Sequence, residues 1–253
     1  MRIAIIGAGF YGTYIAYKLS KQKKYEVSIF EKNKSICCEA ASNNQYRLHT
    51  GFHYPRSIDT VKQTIKGYKL FLKEFFDFVD IPKTNLYLIN KRSKINFKSY
   101  KKIFKNLKVP SSEVNLKNYR NLINIDNFQS AVNTKEGVIK IKKLIIYLKK
   151  KIINKVNLYL NTEINKIDNL NGSISTKNKI FNNYDLIINT TYCDPNLGLK
   201  KKRFDLKYEI AGILKLKNPF KTSLGLTVMD GKFCSLYPYD DKFSTLSSVK
   251  YTP

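Results

Sequence analysis

The 253 residues hold little of what most often marks special chemistry or disorder: four Cys, seven Pro, eleven Gly and two His. The cysteines are Cys37, Cys38, Cys193 and Cys234. None forms a CxxC pair, and with two histidines they compose no zinc pattern, so no metal is expected. They read as small buried hydrophobes in a reducing compartment, which makes the cytoplasm the expected location. So few prolines and glycines argue against a disordered chain. The opening MRIAIIGAGF meets its glycines after only a few apolar residues, which is too short for a signal-peptide core. No apolar run reaches membrane-spanning length.

Arginine is scarce as well. The formal charge is +27, yet only six of the 46 basic residues are Arg, while Asn numbers 25. Forked contacts to phosphates and base edges favour Arg, and the lysines are spread along the whole chain. The charge therefore reads as a broad Lys/Asn/Ile drift, and no nucleic-acid partner is expected. Weak attraction to anionic surfaces or substrates stays compatible with it. A 43% hydrophobic content over this length supports one large domain or two modest ones.

Against these absences stands one strong local pattern. Arg2 to Ile6 reads as a buried strand, Phe10 to about Gln22 as a helix with Tyr11, Ile15, Ala16 and Leu19 inward, and Tyr25 to Phe30 as a second strand. Between the first strand and the helix lies Gly7-Ala8-Gly9-Phe10-Tyr11-Gly12, a GxGxxG turn in the context a dinucleotide site requires. Gly7 makes the tight turn, Gly9 lets backbone approach a pyrophosphate, and Gly12 lets helix and strand pack closely. The pyrophosphate would sit on the helix N-terminus. Glu31, nineteen residues after Gly12, can accept from the adenosine ribose hydroxyls and would repel a 2'-phosphate, which argues against NADP. The motif by itself leaves FAD and NAD both open.

A polar stretch follows, AASNNQYRLHTGFHYPRS, holding both histidines of the chain. As a strand it would set His49, Gly51 and His53 on one face, with Gly51 leaving room for a flat ring. Histidine can donate to a reduced flavin or accept a substrate proton near neutral pH. Arg47 or Arg56 could hold a carboxylate or phosphate. A purely structural, hydrogen-bonded loop is the alternative.

Farther on, Val61, Ile65, Tyr68, Leu72, Phe75 and Val79 predict a helix, with Thr60 and Gln63 as its capping box. Leu86 to Ile89 predicts a strand, and 91 to 135 two short helical pieces with some strand. EGVIKIKKLIIYLKKKI predicts an amphipathic helix with Ile141, Leu144, Ile145, Leu148 and Ile152 on one face. Strands are expected at 156–160 and at Asp185 to Asn189, with a hairpin around Lys177-Asn178. Tyr208 to Leu216, Ser223 to Met229, Phe233 to Tyr237 and Phe243 to Lys250 predict strands without helices between them, hence an antiparallel sheet. The expected fold class is α/β. A discontinuous Rossmann-like domain would comprise 1–80 and 136–200, and a mainly antiparallel β substrate domain 81–135 and 201–253.

IAIIGAGFYGTYIA with Glu31, ASNNQYRLHTGFHYPRS, EGVIKIKKLIIYL, LNTEINKI and DLIINTTY occur in the order seen in the FAD-dependent oxidoreductases of the D-amino-acid-oxidase-like superfamily, which this chain resembles. The HxGxHY segment most resembles a branch of flavoproteins encoded near surface-polysaccharide genes, and somewhat resembles L-2-hydroxyglutarate dehydrogenases. The resemblance implies FAD as cofactor. It implies that Gly7, Gly9 and Gly12 cradle the pyrophosphate, that Glu31 holds the ribose, and that Lys32 lies by the adenine. Ala41 and Ser42 would continue the pyrophosphate contact, and Ile164 would touch the adenine through its backbone. Thr190 and Thr191 stand where the family often has Ala-Thr-Gly. His49 and His53 would approach the isoalloxazine, with Arg47 beside them in the catalytic set. The family's closing glycine-rich flavin-covering segment has no counterpart after Val249, which implies a truncated member.

The activity so implied is a flavoprotein oxidoreductase that oxidises a small polar substrate, such as an amino acid, hydroxy acid or sugar derivative, and passes electrons to an acceptor. A non-catalytic or truncated dinucleotide-binding module, a flavin-dependent sugar-nucleotide mutase and an NAD-dependent dehydrogenase stay open as alternatives.

Overall fold

The computed structural model describes residues 1–201, 203–218, 220, 223–231 and 233–251; part of the expected 201–253 segment therefore lies outside the described residues. Along the first half run β1 (Arg2–Ile6), α1 (Phe10–Leu19), β2 (Glu26–Phe30), β3 (Arg47–Leu48), α2 (Ile58–Phe75), β4 (Val79–Asp80), β5 (Thr84–Asn90), α3 (Phe97–Asn106) and β6 (Ser111–Val114). Then come β7 (Phe128–Thr134), β8 (Gly137–Ile139), α4 (Ile141–Ile152), β9 (Asn157–Tyr159), β10 (Lys166–Asp168), β11 (Ser173–Ser175), β12 (Ile180–Phe181) and β13 (Leu186–Asn189). The described strands end with β14 (Leu214–Lys217), β15 (Leu224–Met229), β16 (Cys234–Pro238) and β17 (Phe243–Ser248).

The chain folds as two compact units, Met1–Asn44 with Ile141–Tyr208, and Gln45–Lys140 with Glu209–Pro253. Residues 45–80 and 136–140 thus group with the second unit, whereas the sequence pattern placed them with the dinucleotide-binding part. Pairing is the reason. Arg47 and Leu48 of β3 pair with Val138 and Gly137 of β8, which also pairs with β4. Val61 of α2 packs with Phe52, Tyr87 and Ile89 in one buried cluster.

The first unit carries a parallel sheet in the order β13-β1-β2-β9. β1 is its centre, with Ile3 opposite both Leu186 and Val27, and its residues 3–6 are buried, as a strand covered on both faces must be. α1 buries Gly12, Thr13, Ala16 and Tyr17, while Tyr11 is exposed. The inward stripe is therefore rotated from the expected one, because the small residues Gly12 and Ala16 take the places nearest the sheet. The 136–152 segment divides into β8 and α4, and α4 buries Leu144, Leu148 and Ile152. The expected hairpin is β11-β12, with Ile174 opposite Phe181.

The second unit carries a seven-stranded sheet, β14-β17-β16-β15-β5-β7-β6. It is antiparallel apart from one junction: β15 runs parallel to β5, with Leu226 opposite Leu86. The strand expected from Tyr208 begins only at Leu214. α3 is capped at Asn96, whose side chain accepts from Ser99 N at 2.8 Å, and it buries Tyr100 and Phe104. α2 starts at Ile58, and its cap region is tied by Ser57 Oγ and Thr60 Oγ1 at 2.7 Å in place of the expected capping box.

Candidate active site: a glycine turn and a buried histidine–carboxylate cluster

In the first unit the glycines act as the pattern demands. Gly7 has φ +95, and a Cβ there would stand 2.8 Å from Thr190 O. A Cβ on Gly12 would stand 2.0 Å from Gly7 O, so this position is closed to any side chain. Gly9 differs: a Cβ on it would meet nothing within 4 Å. Gly9 is also the N-cap of α1 and offers no side-chain cap, so the first N–H groups of the helix face that opening.

Glu31 follows β2 and is 6% exposed. Oε2 accepts from Ala8 N at 2.8 Å, and Oε1 from Asn33 N at 2.9 Å and Asn33 Nδ2 at 2.8 Å. Three of roughly four lone-pair sites are filled, which leaves one for a ribose hydroxyl. An open pyrophosphate cradle and a ribose acceptor beside it fit the ADP half of FAD.

Thr190 follows β13 and braces the turn: its Oγ1 donates towards Ile6 O at 2.9 Å and Gly7 O at 2.7 Å, and its N–H binds Ile6 O at 2.8 Å. Thr162 N donates to Glu31 O at 2.8 Å, tying the loop of the buried Ile164 to Glu31. Lys32 is exposed and 3.6 Å from Glu39. Ala41 and Ser42 lie in a 3-10 turn, Ala40–Ser42, anchored by the Ser42 hydroxyl on Cys37 O. Cys37 N binds Ala8 O at 2.8 Å, and burial pushes its thiol up to about 11, which leaves it inert at neutral pH. The other three cysteines are exposed, and all four are free.

In the second unit the polar stretch leaves β3 after Leu48, so the strand alternation expected for His49, Gly51 and His53 does not continue. Gly51 has φ +102, and a Cβ on it would press on Val61 Cγ1 at 2.9 Å. Its smallness serves packing against α2 rather than room for a flat ring. The turn nevertheless brings the two imidazoles together, with centroids 4.7 Å apart and planes at 81°.

Between them and the sheet sits Glu136, fully buried in the link from β7 to β8. Oε1 accepts from Thr50 N at 2.7 Å and Thr50 Oγ1 at 3.1 Å. Oε2 accepts from the Tyr87 hydroxyl at 2.5 Å and lies 3.5 Å from His49 Nδ1 and 3.7 Å from Arg47 Nη2. Burial alone would raise this carboxyl; His49, Arg47 and the Tyr87 hydroxyl outweigh it and hold the group well below the usual carboxylate range.

Arg47 is 4% exposed at its side chain. It donates to Tyr87 OH at 2.8 Å and Thr227 Oγ1 at 2.9 Å, reaches His53 Nε2 at 3.3 Å, and stacks 4.1 Å above the Tyr237 ring. Both its terminal nitrogens are thus occupied within the cluster, while Nε is buried without a hydrogen-bond partner. Arg56 is likewise engaged, holding Asp230 through Nε at 2.9 Å and Nη2 at 3.2 Å. His53 Nδ1 is 2.7 Å from Tyr87 OH. Burial, then Arg47 and His49, push the His53 imidazole well below its ordinary value, so it stays neutral.

His49, His53 and Glu136 offer three ligand atoms within 4.8 Å, where the sequence pattern placed only two. The carboxylate is already satisfied, and the Arg47 guanidinium beside it opposes a further cation.

Glu136, Tyr87, Thr50, Thr227 and Tyr237 were not legible as site residues. Glu136 stands at the edge of a helical pattern, where an acid reads as a helix-start residue. Tyr87 and Thr227 read as ordinary strand positions.

A strand, glycine turn and helix followed by a second parallel strand with Glu31 at its end form a βαβ unit of the dinucleotide-binding class. The family model DAO, FAD dependent oxidoreductase, matches residues 2–242, and the chain belongs to that family, whose cofactor is FAD. An FAD-dependent monooxygenase, FPY4, of Fusarium mangiferae is 28% identical over 99% of this chain, which spans 64% of that relative's length. Among solved structures, glycine oxidase from Geobacillus kaustophilus matches with a TM-score of 0.71 at 16% identity, over 98% of this chain and 71% of its own. FAD-bound L-alpha-glycerophosphate oxidase from Mycoplasma pneumoniae matches with a TM-score of 0.68 at 19% identity, over 98% and 70%. These two likenesses speak for the fold. Among the described residues, no helix is long and apolar enough to cross a membrane.

Proposed function

We propose that this protein is an FAD-dependent oxidoreductase that removes a hydride and a proton from a small polar substrate, an amino acid, hydroxy acid or sugar derivative, with His49 as the proton acceptor. Bound FAD supplies the acceptor for the substrate's hydride, and a separate electron acceptor then reoxidises it. The remaining work belongs to the chain. Gly7, Gly9, Gly12 and Glu31 bind the ADP half, and Thr190 holds the turn in shape. Lys32, Ala41, Ser42 and Ile164 flank that half.

The observation that carries the reading is the unequal state of the two imidazoles. His53 has both ring nitrogens engaged, by Tyr87 and by Arg47. His49 presents one nitrogen to Glu136 and keeps 27% of its side chain exposed, so its other nitrogen is available for a substrate proton. Arg47 and His53 act as positioning residues that hold the cluster together.

The test is anaerobic. The FAD-loaded full chain is mixed with a panel of amino acids, 2-hydroxy acids, sugars and sn-glycerol 3-phosphate while the visible flavin band is followed. Bleaching by at least one compound, slowed roughly 10²–10⁴-fold in His49→Gln with FAD content retained, is the expected result. A chain that takes up no FAD, or a His49→Gln variant as fast as the parent, overturns the reading.

A further inference from the structure

Resting on the reading of His49 as proton acceptor, we propose that Glu136 is the positioning residue that fixes His49 with its proton on Nδ1, while Tyr87 and Arg47 lock His53 as a neutral Nδ1–H imidazole unable to compete for the substrate proton.

Donor counting within the cluster assigns the shared protons of Tyr87 and His53. The Glu136 carboxylate is ionised and can only accept. Tyr87 is fully buried, and burial raises its phenol well above the ordinary value, so it keeps its proton. That single proton goes to Glu136 Oε2. The Tyr87 oxygen must then accept from its other two neighbours, Arg47 Nη2 at 2.8 Å and His53 Nδ1 at 2.7 Å. His53 therefore carries its proton on Nδ1, and its Nε2 lone pair faces the Arg47 Nη1 donor at 3.3 Å. Both nitrogens are used, and protonation of Nε2 would set a second cation against Arg47.

His49 is held from the opposite side. Its Nδ1 is buried without a hydrogen-bond partner, and its near polar neighbour is Glu136 Oε2 at 3.5 Å. A proton on Nδ1 faces an anion there, whereas a lone pair would face it at a cost. Nε2 is left with the lone pair. When His49 gains the substrate proton, the carboxylate stabilises the imidazolium, as a buried acid does for a histidine base in other enzymes. The charged and titratable groups around His49 are Glu136 from the β7–β8 link, His53 from its own segment, Arg47 from β3 and Tyr87 from β5.

Since the chain contains two histidines, the tautomers can be read directly. The full chain, labelled with ¹⁵N-histidine, is observed through long-range ¹H–¹⁵N correlations, with His49→Gln and His53→Gln giving the assignment. Both imidazoles are expected as Nδ1–H, the form that a solvent-exposed histidine disfavours. Glu136→Gln should move His49 towards Nε2–H and slow flavin bleaching by a substrate of the panel above. Tyr87→Phe should disturb His53 and leave His49 in place. An Nε2–H His49 in the parent overturns the proposal even if Glu136→Gln fails to fold, and so does a His49 signal unchanged in Glu136→Gln. Nδ1–H retained on His49 while His49→Gln bleaches at the parental rate would overturn the proton acceptor, leaving Glu136 as scaffold. An Nε2–H His49 in the parent with His49→Gln inactive would overturn Glu136's role alone.

Discussion

Gly9→Ala separates folding from cofactor binding at one atom. Gly9 has φ −62 and ψ −175, values open to alanine, and the added methyl meets no protein atom within 4 Å. The unliganded protein should fold as before. Its stability should change by less than about 1 kcal/mol, and in the favourable direction, because alanine has less unfolded-state freedom to lose. On the proposed reading, however, the methyl stands where the pyrophosphate would approach the uncapped N-terminus of α1. Loss of even one charge-assisted hydrogen bond there costs about 1.5–3 kcal/mol, which is roughly 10–100-fold in Kd. Urea unfolding of the flavin-free protein gives the first number, and titration of FAD followed by flavin fluorescence gives the second. Gly12→Ala is the contrast: its Cβ would lie 2.0 Å from Gly7 O, so both numbers should worsen. A Gly9→Ala protein that binds FAD like the parent, or that loses more than about 1 kcal/mol without ligand, would refute the assignment of this opening to the pyrophosphate.

Three further outcomes follow from the same geometry. Glu136→Ala leaves the Arg47 guanidinium buried without its anion and strips Tyr87 and Thr50 of their acceptor, so it should destabilise by about 3–5 kcal/mol, read as a lower urea midpoint at unchanged slope. Thr190→Val removes the hydroxyl that bridges Ile6 O and Gly7 O, and should cost about 1 kcal/mol together with FAD affinity; a loss of neither would mean that the turn holds its own shape. The pH dependence has a definite sign. His53 has a folded-state value depressed below the unfolded one of about 6.5, so the unfolded chain binds more protons as pH falls through that range. Stability is present above about pH 6.5 and declines below it, by up to about 1.4 kcal/mol per pH unit for one proton. The depressed Glu136 adds to the loss at lower pH still. Melting His53→Gln across pH 5 to 8 should show a flatter slope than the parent between about 5 and 6.5, and an equal slope would remove His53 as its source.

Much of the first unit could be read from the sequence because its determinants are local. A strand, a GxGxxG turn, a helix and an acidic residue at a set spacing specify a βαβ unit within some thirty residues, and the structure forms β1, α1 and β2 there, with Glu31 directly after β2. The constraints act between neighbours: Gly12 is needed because its own turn carbonyl lies where a Cβ would go. The hairpin of β11 and β12 was legible for the same reason.

The second unit depended on contacts that no local pattern encodes. β15 aligns parallel to β5 across a sequence separation of about 140 residues, and this register sets Thr227 opposite Tyr87, both bonded to Arg47. Glu136 reaches Thr50 across 86 positions. Strand alternation suggested that His49 and His53 share a face; a turn with Gly51 pressed on α2 brings them together instead. The sequence by itself singled out the glycine turn, Glu31 and the segment holding Arg47, His49 and His53 as candidates, but not Glu136, Tyr87 or Thr227. Only the tertiary structure decided how the protons are shared among them, because a buried acid, phenol and guanidinium must satisfy one another once water is excluded.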